Sequence, residues 1–269
     1  MSGNSDRSTP KCNLLKRPGR LILLRHGQST WNQENLFAGW HDVPLSERGV
    51  TEARESGRLM KQEGLAPTVV HTSVLQRAIQ TADVALEEMG LSWIPAKRSW
   101  RLNERHYGAL QGRDKKETSD RYGADKVKLW RRSYDERPPD LEPTEEGHPS
   151  HDPCCAALPP ELLPSAECLK DVVERMLPYW FDVIAPDLLS NECVLVCAHG
   201  NSLRALIKHL DGLSDQEVVD LDIPTGVARA YDLGPDFRPR SWRYLGEPEE
   251  IRRRAAEVKD QARPKPTSG

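Results

Sequence analysis

The stretches LILLRHGQS (21–29) and CVLVCAHGNS (193–202) share one pattern, an apolar run that stops at a histidine followed by glycine, a polar residue and serine. Runs of this length and composition read as buried strands, so each presents a histidine, His26 or His199, at a strand's C-terminal end. In open α/β sheets ligands bind outside that edge, and one pocket there can receive both imidazoles although they are far apart in sequence. A histidine after a strand is also commonly a polar end-cap or a core histidine satisfied by one hydrogen bond. The Arg25-His26-Gly27 triplet points instead to phosphoryl chemistry. Arg25 offers a planar, permanently charged donor fork that matches phosphate oxygens, and Gly27 has no Cβ to keep an anion from the backbone. Gly200 and Asn201 repeat that logic without the arginine.

The elements around these strands predict an α/β fold, with a mostly parallel central sheet and helices on both faces. Ser46 is a candidate N-cap for a helix running to residue 63 and stopping at Gly64. A β-branched run at 68–72 reads as a strand, and Ser73 as the cap of a second helix ending at Gly90. Helical periodicity covers 165–184, the most apolar strand covers 193–198, and a helix follows over 202–210. Residues 1–19 form an N-terminal extension without structure, 20–246 one catalytic domain, and 247–269 a charged tail.

The 269 residues carry a net charge of −3, which argues against a surface that gathers nucleic acid, so any anion site must be a local basic cluster. No window is apolar for long enough to span a bilayer, and the first twenty residues lack the apolar core of a secretory signal, which predicts a cytoplasmic protein without a membrane partner. Six cysteines fit no metal spacing and read as reduced thiols. The histidines and cysteines of 147–155 are irregularly spaced between prolines, so the expectation there is no metal. A dimer or tetramer is compatible with the chain, whose sequence leaves the oligomeric state open.

Further candidates lie off the strand edges. Arg77 falls in the first turn of its helix if Ser73 is the cap, where it is either part of a phosphate site or a solvated surface residue. Residues 101–115 concentrate Glu104, a candidate general acid or base, Arg105 and Lys115, candidate anion ligands, and Tyr107, a candidate donor. Arg131 and Arg132 form a dibasic point after Trp130.

Taken together, LLRHGQSTWN, FAGWHDVPLSERG, TSVLQRAIQT, LNERHYGALQG, LWRR, AHGNSLRAL and IPTGVARAYDL closely resemble the cofactor-dependent phosphoglycerate mutases, the 2,3-bisphosphoglycerate-requiring branch of the histidine phosphatase superfamily. The resemblance runs from about residue 21 to about 251, in family order, and implies a phosphoglycerate mutase-like fold. It implies interconversion of 3-phosphoglycerate and 2-phosphoglycerate, with 2,3-bisphosphoglycerate as cofactor, no metal, and small-molecule phosphoglycerates as partners. On the same ground His26 is the phosphohistidine, with Arg25, Asn32, Arg77 and His199 around the transferring phosphoryl and Glu104 as the acid/base. Ala38, Gly39, Arg105, His106, Tyr107, Lys115, Arg131, Arg132, Gly200 and Asn201 fall at substrate-binding positions. Two departures stand out: Gln28 where many members have glutamate, and Ala38 where threonine is frequent, which leaves only the backbone there to hold phosphate.

The rival readings are a phosphatase with water as acceptor, a bisphosphoglycerate synthase using the same residues, and a silent scaffold that kept the fold. The stretch 112–164 favours the mutase over the phosphatase, because it brings Lys115, Arg131 and Arg132. A phosphoglycerate acceptor needs that second basic locus, whereas water does not. For the charged tail two readings stay open: Arg252, Arg253, Arg254 and Lys259 close over the pocket, or the segment is solvated.

Overall fold

The computed structural model describes residues 18–190 and 192–260. The unstructured extension expected at 1–19 lies outside the described residues up to position 17, and Gly19 already donates its amide to Leu188 O at 2.7 Å. Along the chain the elements are β1 (Leu21–Arg25), α1 (Thr30–Gln33), α2 (Glu47–Gln62), β2 (Val69–Thr72), α3 (Gln76–Met89), β3 (Ala96–Arg98), α4 (Lys115–Tyr122), α5 (Ala124–Arg132), α6 (Leu169–Tyr179), α7 (Ala185–Leu189), β4 (Val194–Ala198), α8 (Gly200–Asp211), α9 (Asp215–Val219), β5 (Ala228–Leu233), β6 (Pro239–Tyr244) and α10 (Pro248–Asp260). No helix among the described residues is long and apolar enough to cross a membrane.

Among the described residues one six-stranded sheet runs in the order β3-β2-β4-β1-β5-β6. β3, β2, β4 and β1 are parallel, and β5 and β6 add an antiparallel edge. β4 is apolar throughout, and β1 is apolar up to Arg25, because both of their faces are buried. Leu21 and Leu23 point into one core with Val194 and Val196, under α6 and α8, while Ile22 and Leu24 point into the other with Leu195 and Cys197, under α2 and α3. The register pairs Arg25 with Ala198, so the residues that follow both strands, His26 and His199, emerge at the same height on one edge.

A smaller cluster of Phe37, Leu110, Val127 and Trp130 anchors α4 and α5 above that edge, which is how Lys115, Arg131 and Arg132 come to overhang it. α2 starts as expected at Ser46, whose hydroxyl accepts from Gly49 N at 3.1 Å. Three local expectations are corrected. The N-cap of α3 is Leu75, not Ser73, because the Ser73 hydroxyl is engaged with His199 instead. The helix expected from 165 begins at Leu169, where Asp171 Oδ2 accepts from Cys168 N at 2.8 Å, and beyond Tyr179 it widens into a π turn at Trp180–Ile184. α8 starts two residues before Ser202, with His199 as its N-cap.

Within the charged tail, 248–260 is a helix. α10 docks along α2 through Arg254 Nη2 to Glu55 Oε2 at 2.7 Å and Arg48 Nη2 to Glu257 Oε2 at 2.6 Å. Residues 261–269 lie outside the described residues.

Candidate active site

The His26 amide extends the β1–β4 ladder by donating to Ala198 O at 2.9 Å. Its ring lies edge-on to that of His199, centroids 5.0 Å apart at 60°. His26 Nδ1 sits 2.6 Å from Gly27 O, and a carbonyl only accepts, so Nδ1 carries the ring hydrogen and Nε2 keeps its lone pair. Burial first, and then the charges of Arg77 and Arg25, push the His26 pKa well below the ordinary histidine value. The ring is therefore neutral at physiological pH, the form in which it can act as a nucleophile.

His199 is held differently. Its Nε2 is 2.7 Å from Ser73 Oγ, which also accepts from Leu75 N at 3.2 Å. A hydroxyl carries one donor and two acceptor sites, so Ser73 Oγ serves Leu75 N and pairs with His199 Nε2 in either tautomer of the ring. Nδ1 is buried and has no hydrogen-bond partner among the described residues. A buried polar atom left in that state is costly unless a ligand satisfies it.

Two arginines flank the histidines. Arg77, second residue of α3, donates Nη1 to His41 O at 2.8 Å and Nη2 to Gly39 O at 2.7 Å. Arg25 donates Nη1 to Ile223 O at 2.6 Å. Each keeps its Nε without a partner among the described residues. Burial drives both pKa values down, Arg77 to about 10, which measures the cost of keeping the two charges out of water beside each other. Glu104 stands opposite, its Oε1 accepting from Arg105 N at 2.7 Å and Asn201 N at 3.1 Å, so the start of α8 and its own loop hold one oxygen. The other oxygen, Oε2, would lie 3.5 Å from a Cβ placed on Gly200.

These groups open into a cleft with about 680 Å³ of empty space. Of the predicted residues, Arg25, His26, Asn32, Ala38, Gly39, Arg77, Glu104, Tyr107, Lys115, Arg131, Arg132, Gly200 and Asn201 line it. The cations outnumber the carboxylates, and burial, aided by Arg131 and Arg25, pushes Lys115 down to about 7. His199 stands behind His26, out of the lining itself.

Two of the expected substrate-binding residues do not line the cleft. Arg105 is buried outside the cleft lining, with Nη2 on Tyr107 OH at 3.3 Å and Arg131 O at 2.5 Å, while its Nε and Nη1 have no partner among the described residues. His106 points away into an aromatic cluster, its ring edge-on to Trp40 and its Nδ1 accepting from Gly108 N at 3.1 Å. The reason given for Gly27 is corrected as well. A Cβ there would lie 2.3 Å from Gly49 O, so the glycine serves the close approach of α2 rather than an anion.

Sequence reasoning missed Ser73, Arg204, Asp222 and Val258. Arg204 lines the cleft and joins Asn201 Oδ1 at 2.9 Å to Val218 O at 2.5 Å. Its spacing of three from Asn201 on one helix was a usable signal. Val258 of α10 also reaches the cleft, whereas Arg253 pairs with Glu250 and Glu257, and Arg254 with Glu55 and Glu250. Arg253 and Arg254 thus serve the helix and its seat, not the pocket. Among the described residues no group of three or more His, Cys, Asp or Glu side chains is arranged to hold a metal ion.

Residues 21–236 match the model of the histidine phosphatase superfamily, branch 1. A relative from Thermobifida fusca, named a 2,3-bisphosphoglycerate-dependent phosphoglycerate mutase, is 56% identical over 90% of this chain and 99% of its own length. One of the same name from Streptomyces avermitilis is 60% identical over 82% of this chain and 88% of its own. Among solved structures, a mycobacterial glucosyl-3-phosphoglycerate phosphatase superposes with a TM-score of 0.63, covering 84% of this chain and 97% of that one at 24% identity, which speaks to the fold alone.

Proposed function

The chain belongs to branch 1 of the histidine phosphatase superfamily and interconverts 3-phosphoglycerate and 2-phosphoglycerate in glycolysis, and we propose that it does so through a phosphoryl group carried on His26 and first supplied by 2,3-bisphosphoglycerate. The observation that carries this reading is the His26 ring itself, neutral, with Nδ1 tied to Gly27 O and the Nε2 lone pair left for the reaction.

The residues of the cleft suit a ligand with two phosphates and a carboxylate. Three buried groups without a partner among the described residues, Arg25 Nε, Arg77 Nε and His199 Nδ1, lie around His26, and Lys115, Arg131, Arg132 and Arg204 form a second basic locus across the cleft. When bound, 2,3-bisphosphoglycerate supplies the phosphoryl group that charges the histidine.

In the proposed cycle His26 Nε2 takes a phosphoryl group as the P–O bond to its former oxygen breaks, and Glu104 returns a proton to that oxygen. In the reverse sense Glu104 accepts the proton of the acceptor hydroxyl, whose oxygen forms the new P–O bond as the N–P bond of His26 breaks. Negative charge spreads over the equatorial oxygens in each transfer, so pre-aimed cations and donors do most of the work. Arg25 and Arg77 are those donors, with His199 packed against the His26 ring beside them. Asn32, Gly39, Tyr107, Gly200 and Asn201 shape the substrate's position, with Asn201 Nδ2 donating to Tyr107 OH at 3.2 Å. Ala38 contributes only its backbone.

The same proposal makes small-molecule phosphoglycerates the partners, in the cytoplasm, with neither nucleic acid nor membrane involved, and a dimer or tetramer the state to look for by light scattering. The reaction is tested by following 2-phosphoglycerate and inorganic phosphate together from 3-phosphoglycerate, with chelator present, with and without trace 2,3-bisphosphoglycerate. Stimulation by the bisphosphate and indifference to chelator are the expected results. Formation of 2-phosphoglycerate at an unchanged rate without the bisphosphate would remove the priming step.

A further inference from the structure

Three arginines of the cleft wall are tied to one short stretch, residues 218–223. Arg25 Nη1 donates to Ile223 O at 2.6 Å, and Arg204 Nη2 donates to Val218 O at 2.5 Å. Both of those partners are neutral carbonyls. The third is not: Arg132 Nη2 donates to Asp222 Oδ1 at 2.5 Å, a full ion pair. A carboxylate in the wall of a cleft that collects anions opposes the binding of its own substrates, so its presence calls for a reason.

Its place in the fold supplies one. Arg132 and Asp222 line the catalytic cleft and also an outer hollow bounded by Ser119, Lys128, Val219 and Lys259. The pair therefore stands at the neck between the two spaces. Its side chains are 15% and 14% exposed, enough burial that salt screens the pair weakly, and enough exposure that Asp222 can be rehydrated if it is displaced.

We propose that Asp222 is an anionic placeholder on Arg132, which an arriving phosphoglycerate displaces with its carboxylate or phosphate and which recaptures the guanidinium when product leaves. The inference rests on the reading of Arg132 as a substrate ligand. Asp222 touches no reacting atom. It acts through Arg132, keeping that arginine aimed into the neck and setting how tightly anions are held there.

The test is Asp222→Asn, which keeps shape and an acceptor oxygen but removes the charge. The KM for 3-phosphoglycerate and the competitive inhibition constant of sulfate should each fall about fivefold, the worth of one partly exposed charge pair. Asp222→Glu should restore both values, and the gain should vanish when Asp222→Asn is combined with Arg132→Gln. General damage to the site does not tighten binding, so a merely structural role for Asp222 would not give this result. If Arg132→Gln raises KM but Asp222→Asn leaves KM unchanged or raises it, the placeholder is wrong and Arg132 remains a ligand. If Arg132→Gln leaves KM unchanged, the reading of Arg132 fails and the placeholder falls with it.

Discussion

His26 and His199 meet edge to plane, their ring centroids 5.0 Å apart, because β1 and β4 run parallel in a register that pairs the last residues of the two strands. His26 lines the cleft with its Nε2 lone pair left free, whereas His199 stands outside the lining. His26→Ala should therefore lower turnover by at least about a thousandfold, the scale of losing a covalent nucleophile, and should abolish acid-labile phosphate on the protein after exposure to 2,3-bisphosphoglycerate. Labelled bisphosphate followed by acid and base treatment reads that directly, and retention of the label in the variant would transfer the role elsewhere.

Ser73→Ala isolates the orientation of His199. The loss of the hydroxyl at 2.7 Å leaves Nε2 without its hydrogen-bond partner, so neither the tautomer nor the orientation of the ring is held from behind. Turnover should fall about tenfold, in line with the loss of a group that fixes a histidine tautomer from behind. The KM for 3-phosphoglycerate should change less, since Ser73 does not line the cleft.

Much of the site was legible in the sequence, and the misses share a cause. The two histidines could be placed because their strands are apolar on both faces, a local property that announces a central position. Glu104, Lys115 and the Arg131-Arg132 pair stood out as a concentration of charged side chains in loops rather than through any periodicity, and the resemblance then gave them roles. Arg105 and His106 share that loop and its chemistry, yet they face inward, and nothing local distinguishes a guanidinium aimed at substrate from one aimed at Arg131 O. Ser73 looked like a cap because capping is its commonest use before a helix. Its real partner lies 126 residues away in sequence. For α10 the readings of a closing segment and a solvated tail both stayed open because its apolar residues are few, and its seat on α2 depends on ion pairs with Arg48 and Glu55 that no local pattern shows.

Gly27 and Gly200 follow histidines in the same motif but answer to different constraints, and alanine at each separates them. At Gly27 the new methyl would lie 2.3 Å from Gly49 O, backbone against backbone, with no flexible group able to yield. Gly27→Ala should cost about 3 kcal/mol of folding stability, the upper range for overpacking. At Gly200 the methyl would meet Arg25 Cζ and Glu104 Oε2 at 3.5 Å, an ordinary contact. Gly200→Ala should keep its melting temperature and lose activity, because the methyl occupies the cleft between the acid/base and the arginine. Thermal denaturation alongside turnover distinguishes the two.

Lys115 makes substrate binding a proton-linked event. Burial, then Arg131 and Arg25, hold its pKa at about 7. A bound anion favours the charged form, so above that pH the lysine must take up a proton as the ligand enters. Affinity for 3-phosphoglycerate should decline as pH rises through about 7, approaching tenfold per unit well above it. Calorimetry of sulfate or phosphoglycerate binding in buffers of different ionisation enthalpy should show proton uptake at pH 8 that Lys115→Met removes. In the unfolded chain the lysine keeps its proton to about pH 10.4, so this group makes stability rise, not fall, between pH 7 and pH 10. Lys115→Met should flatten that rise.

The position of α10 bears on how the phosphorylated histidine is kept from water. The helix is fastened to α2 by Arg254 on Glu55 and Arg48 on Glu257, and it delivers Val258, an apolar side chain, to the edge of the cleft. A phosphoryl group on His26 is lost to water whenever water reaches it in line with the N–P bond, and an apolar residue at the mouth lowers that chance without adding charge. Truncation after Leu245 removes Val258 together with the whole helix, so phosphate release should rise relative to mutase turnover. Arg48→Ala combined with Glu55→Ala loosens the seat while leaving Val258 in the chain, and should raise the ratio by a smaller factor. Measured as inorganic phosphate per 2-phosphoglycerate formed, an unchanged ratio in both variants would assign α10 to stability alone.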